Sequence, residues 1–192
     1  MAVVSGGIET LSGNVSDQIA ATPILDRFVQ SALESANDFS NGVGDWVGGN
    51  LVNLAGFGEV LQLGPGEGAQ MDFAVPEGAD SATISFDLIG GDDLSGEPAT
   101  VFINGDPVAI YADNHGNITT STGGPSNISV SMTQQFSNDP VGAGSHGHDS
   151  RTTITITVDD PTETVSVGVQ SGADQGVDNE FYAIDDVNIS TN

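Results

Sequence analysis

Acidic side chains recur along this chain in short groups spaced by glycine, and oxygen donors so arranged have one obvious chemistry, which is to hold a hard cation. The first group is FDLIGGDDLSGE, with Asp87 in a strand-like run and Asp92, Asp93 and Glu97 in the turn after it. The second is ADQGVDNEFYAIDDVNI, where Asp174, Asp178, Asn179 and Glu180 precede a strand carrying Asp185 and Asp186. A third, DFSNGVGDW, sets Asp38, Asn41 and Asp45 beside Trp46, the only tryptophan. Ca2+ takes about six to eight oxygens from carboxylates, amides, backbone carbonyls and water, and glycine loops let carbonyls turn inward. Asp, Asn and Gly are also the ordinary residues of solvated turns, so any one group reads equally well as a turn. Strict alternation along the second strand puts Asp186 with Ile184 on one face and Asp185 with Ala183 and Val187 on the other. Either aspartate is a candidate for burial, and a buried carboxylate needs a cation or several donors.

The charge balance shifts the reading from turns to metal. The chain has 27 acidic residues and two basic ones, Arg27 and Arg151, with no lysine, for a net charge of -25 on 192 residues. Disorder is the first alternative, yet 37% of residues are hydrophobic and they fall in strand-like runs, unlike the hydrophobe-poor composition of disordered chains. Self-repulsion at this charge destabilises a folded state unless counter-ions are held close. Bound divalent cations are therefore expected, with at least one Ca2+ among the acidic groups. The same charge argues against nucleic acid as a partner and against anionic membranes. No cysteine is present, which removes disulfides and thiolate metal sites.

Other chemistries find less support. His115, His146 and His148 invite a zinc reading, but two histidines in a Gly/Ser loop without a third ligand at defined spacing make a weak zinc pattern. Carboxylate pairs serve glycoside hydrolysis, yet their separation is not readable from sequence. The nucleophile-elbow, zinc-protease and phosphate-loop motifs are missing. A binding module, not an enzyme, is the expectation.

The elements that must position these acids are strands. Residues 71–76, 82–89, 99–105, 107–111, 126–136, 151–158, 163–170 and 181–190 are rich in Val, Ile, Thr and Phe between Gly, Asn and Asp turns, which predicts an all-β, two-sheet antiparallel sandwich, jelly-roll-like. Asn104-Gly105 predicts a type I′ hairpin. In RTTITITV, Ile154 and Ile156 point one way and Thr153, Thr155 and Thr157 the other, so one face is buried. Residues 112–150 read as long irregular loops. PILDRFVQSALESA predicts one short helix over residues 23–36, with Thr22 as N-cap and Pro23 at the first helical position. Residues 1–36 are thus a lead-in to a sandwich over 37–192. The N-terminal MAVVSGGIETLSGN lacks a basic region and a continuous apolar run, so a Sec signal peptide is not expected. Nor does any apolar run approach the roughly 18 residues of a membrane span.

Three of these segments together resemble a known family. FDLIGGDDLSGEPATVFINGD is similar to the pattern FDFxxIDSWDGExFxVxVNG of calcium-dependent β-sandwich domains in large bacterial surface proteins. DNEFYAIDDVNI resembles that family's DESWGIDNVxI, and DFSNGVGDW its FExGAxGW. Asp92, Gly96, Glu97, Asn104 and Gly105 keep register with the first pattern, and Glu180, Ile184, Asp185 and Val187 with the second. The likeness spans about residues 38 to 190. Leu94 and Ser95 stand where the family has Trp and a second Asp, and Asn179 where it has Asp.

The family includes ligand-binding domains of long RTX adhesins secreted by type I systems, among them domains that bind the free C-termini of partner proteins. The resemblance implies several Ca2+ ions, one beside a ligand groove, an extracellular bacterial-surface location, a secretion signal elsewhere in a longer parent, and a role in cell adhesion and biofilm formation as a monomeric module. Asp93 is expected to replace one missing ligand. A Ca2+ with open positions would accept a peptide carboxylate or, lectin-like, the vicinal hydroxyls of a glycan; a calcium-stiffened spacer is a third reading. Trp46, Asn104, Tyr111 and Tyr182 are the expected groove residues, although most aromatics, Phe57 and Phe136 included, belong by their type to the core.

Overall fold

Apolar residues at every second position build strands here, and strands of that pattern must bury one face. The protein is described by a computed structural model covering residues 35–139 and 147–192; among these there are thirteen strands and no helix. In chain order they are β1 (Ser35–Asn37), β2 (Val47–Gly48), β3 (Asn50–Leu54), β4 (Gly58–Leu63), β5 (Gly68–Ala74), β6 (Ser81–Asp92) and β7 (Ser95–Ile103). Then follow β8 (Asp106–Asn114), β9 (Asn117–Thr122), β10 (Ile128–Asp139), β11 (Asp149–Asp159), β12 (Thr164–Ser171) and β13 (Glu180–Thr191). One sheet runs β10-β11-β6-β13-β4-β3 with β1 also on β13, and the other β2-β5-β12-β7-β8-β9. The two antiparallel sheets pack face to face as a β-sandwich.

The core between the sheets is supplied by the alternation read from sequence. Ala82, Ile84, Phe86 and Leu88 of β6 meet Val101 and Ile103 of β7, Ile154 and Ile156 of β11 and Val165, Val167 and Val169 of β12. Thr153, Thr155 and Thr157 lie on the opposite, half-exposed face of β11. A smaller apolar cluster of Leu54, Val60, Ile89, Phe181 and Ala183 forms separately, and Phe57 packs near Phe136 with ring centres 6.0 Å apart.

The eight expected segments each fall on a strand, and the Asn104-Gly105 hairpin is present, with φ of 52° and 85° and Ile103 opposite Asp106. Two expectations are corrected. Residues 112–150 are not wholly irregular: a second tight turn at His115 (φ 49°) and Gly116 (φ 79°) returns β8 as β9. Strand β9, NITTST, is an edge strand exposed along almost its whole length, so no apolar alternation marks it. The sandwich also takes in Ser35 and Ala36, because β1 pairs Ser35 with Ile189 and Ala36 with Asn188. The helix expected over 23–36 lies outside the described residues, except that Ser35 and Ala36 belong to β1.

Candidate metal centre

Strand pairing carries the two acidic groups to one end of the sandwich. Strands β6 and β13 are neighbours with Asp92 opposite Glu180, and the Asp93 N–H donates to the Asn179 carbonyl at 2.9 Å. Across that junction Glu97 on β7, Asp174 in the loop before β13 and Glu180 at its start offer carboxylate oxygens within 4.8 Å of one another. Such a group could hold a metal ion.

Each of the three is positioned by the local fold. Glu180 is fully buried; its Oε1 accepts hydrogen bonds from the backbone N–H of Asp174 and, at 2.6 Å, of Gln175, which folds the loop back over it. Its Oε2 is buried and has no hydrogen-bond partner. Burying a carboxylate oxygen without a donor or cation is costly, so this oxygen marks where a cation fits. Glu97 is half-buried and accepts from the N–H of Ser95 at 2.6 Å and its hydroxyl at 2.9 Å. Burial raises its carboxyl pKa, but hydrogen bonds from its own backbone and from Ser95, with the His115 charge, win and hold it below the usual range. Asp174 is exposed, so one side of the group faces solvent.

Tyr182 sets the height of Glu97. Its hydroxyl donates to the Glu97 carbonyl and accepts from the Asp113 N–H at 3.4 Å. Tyr111 meets it edge to face with centroids 6.1 Å apart and exchanges a hydrogen bond with Ser150 Oγ at 2.9 Å. Burial pushes the Tyr111 hydroxyl up to about 12 and drives that of Tyr182 up as well. Both rings have no exposed surface. They are core residues, not groove walls, because the apolar space between the sheets takes the ring while the hydroxyl finds a partner inside.

The remaining expected residues go elsewhere. Trp46 is 4% exposed and its ring lies in the core. Asn104 is exposed at the far end of β7, roughly 23 Å from Glu97 at about 3.3 Å per residue, and its Oδ1 accepts from the Ser166 N–H at 2.9 Å to pin the hairpin. Asp178 is exposed outside the three-carboxylate group, and Asn179 bonds Gln175 Oε1 through Nδ2 at 2.6 Å. Asp92 is buried beside Asp149, whose Oδ1 accepts its N–H at 3.0 Å, while Asp93 faces His115, Oδ1 to Nδ1, at 3.2 Å. In the third group Asp38 caps a turn through Ser40, and those hydrogen bonds hold its carboxyl below the usual range.

Asp87, Asp185 and Asp186 meet a cation of a different kind. Arg151 on β11 places Nε 2.5 Å from Asp87 Oδ2 and Nη2 3.3 Å from Asp185 Oδ2 and 2.6 Å from Asp186 Oδ2. Thr153 Oγ1 adds a donor to Asp87 Oδ1 at 2.6 Å. These acids were expected as metal ligands; here the chain's own guanidinium lies among them. Alternation alone would separate Asp185 from Asp186, but the β13–β6 register shifts between Asp185 and Asn188, and Asp186 adopts φ 48°. This bulge turns both toward Arg151. Burial drives the Asp185 carboxyl up to about 6, with the Asp186 charge adding and the Asp186 N–H and Arg151 opposing.

Sequence reasoning missed Arg151 because its partners lie at sequence distances that only strand order defines. It also missed Asp113, which is 1% exposed on β8, with Oδ1 accepting from the Gly116 N–H at 2.7 Å and Oδ2 from Ser150 Oγ. The tight turn at His115-Gly116 was the available signal for it. No family model matches the chain, and no curated protein matches it either.

Proposed function

We propose that this domain is a calcium-dependent ligand-binding module of a secreted bacterial surface adhesin, and that it takes peptide or protein C-termini at a Ca2+ held by Glu97, Asp174 and Glu180. The observation that supports it most is the buried, unpartnered Oε2 of Glu180 within reach of two further carboxylates. The donors are all hard oxygens, which suit Ca2+ in preference to thiolate- or imidazole-seeking ions. Three protein ligands leave several positions of a six- to eight-coordinate ion unfilled. Because Asp174 is exposed, those positions face water. A terminal carboxylate of a peptide supplies one or two such oxygens, and the ion reverses the repulsion an acidic surface would otherwise present. The adhesin assignment draws on the motif resemblance given above.

The test begins with Glu180→Gln, which preserves the acceptor for the Asp174 and Gln175 N–H groups and removes the charge. Calorimetric titration should show calcium affinity at this site falling at least tenfold. Peptide and glycan arrays in calcium then separate ligands. Binding to peptides with free C-termini, lost on C-terminal amidation and in Glu180→Gln, is the expected result. Signal on glycans alone would replace the peptide reading with the lectin-like one, and silence on both would favour a spacer.

A further inference from the structure

Two histidines come together near the three carboxylates. The tight β8–β9 turn carries His115, and the residue before β11 is His148; their rings meet edge to face with centroids 5.2 Å apart and planes at 72°. Two imidazoles bound to one tetrahedral ion, with metal–nitrogen bonds of about 2.1 Å, have ring centres about 5 Å apart. His115 Nδ1 faces Asp93 Oδ1 at 3.2 Å. With Nδ1 on the carboxylate, Nε2 is the nitrogen left for an ion, and a carboxylate behind an imidazole is what orients metal-binding histidines. Asp113, buried and fixed by Ser150 and Gly116, lies on β8 two residues before His115.

We infer that His115 and His148, with Asp93 behind His115, form a binding site for a borderline divalent transition ion such as Zn2+, separate from the carboxylate centre. Imidazole selects Zn, Ni and Cu over Ca, so the two sites take different ions from the same medium. Two protein nitrogens leave two positions of a tetrahedral ion for water or for a ligand's own donor.

The experiment is a titration of the full 192-residue chain with Co2+ in saturating calcium, read by the visible d–d absorption of the ion, with Zn2+ as competitor. One saturable site displaced by Zn2+ is expected. His115→Asn is a suitable variant because Asn tolerates the φ of 49° at this position, and circular dichroism and melting in calcium check the fold. His115→Asn and His148→Ala should each weaken binding at least tenfold, and Asp93→Asn about tenfold through the backing carboxylate. Glu180→Gln and His146→Ala should leave it intact. Absence of a saturable site, indifference to His115→Asn, or loss only in His146→Ala would overturn the assignment; the last would move the ion to the His146-Gly147-His148 stretch.

Discussion

Asp185 shows what a single carboxylate experiences under Arg151. It is 4% exposed, and burial first of all raises its pKa from 3.8 to about 6. The folded form therefore keeps this proton up to about pH 6, while the unfolded chain releases it near 4. The sign follows directly: charging Asp185 opposes folding, an effect absent below about pH 4, growing through the window to 6 and constant above it. A carboxyl-carbon NMR titration should find the Asp185 midpoint near 6. Because Arg151 favours the charged form, Arg151→Gln should raise that midpoint further. Leaving three carboxylates without their guanidinium should also cost about 3 kcal/mol, the low end for removing one partner of a buried pair, measurable by denaturant unfolding at pH 7. An unmoved midpoint would mean that Arg151 does not act on Asp185.

At the scale of elements, the strands and the Asn104-Gly105 turn were legible because local chemistry decides them: β-branched alternation and two left-handed positions leave few choices. The convergence of Glu97 with Asp174 and Glu180 was legible only as two separate groups. Strand order β7 in one sheet and β13 in the other, with the loop before β13 between them, is what joins them. Illegible were the bulge at Asp186, whose sequence carries no glycine, and the polar strand β9, which has glycine turns around it but no apolar period. The aromatic readings divided in the same way, since ring type does not tell a core position from a groove. Tyr182 joins the two elements of the candidate metal centre by holding the Glu97 carbonyl. Tyr182→Phe leaves that buried carbonyl without its donor, and should cost about 1–2 kcal/mol of stability. Calcium affinity should fall with it, while Tyr111→Phe, whose hydroxyl bonds Ser150 and Thr152 and not Glu97, should lower stability alone; equal effects of the two on calcium would refute a positioning role.

Over the whole molecule the charge of -25 sets up a self-repulsion that cations relieve. Screening by simple salt and binding at a defined site differ in size and concentration dependence. Ca2+ at one hundred times its dissociation constant stabilises by about 2.7 kcal/mol, or roughly 5–10 °C in Tm for a domain of this size. Millimolar CaCl2 should therefore raise the Tm by that amount over chelator at constant ionic strength, and the same ionic strength of NaCl should not. Equal shifts in both salts would reduce calcium to a general counter-ion.

The place of Arg151 has one further consequence. Trypsin cuts only after lysine or arginine, and the chain offers it two bonds, after Arg27 and after Arg151. The second lies inside β11, paired on both sides by β10 and β6, with its side chain held by three aspartates. A protease cannot draw that bond into an extended active-site conformation unless the sheet opens. Cleavage at Arg151 is thus a built-in clock for opening of the sandwich: slow in calcium and faster in chelator or in Glu180→Gln, best read in Arg27→Gln protein, where every cut recorded is a cut through β11.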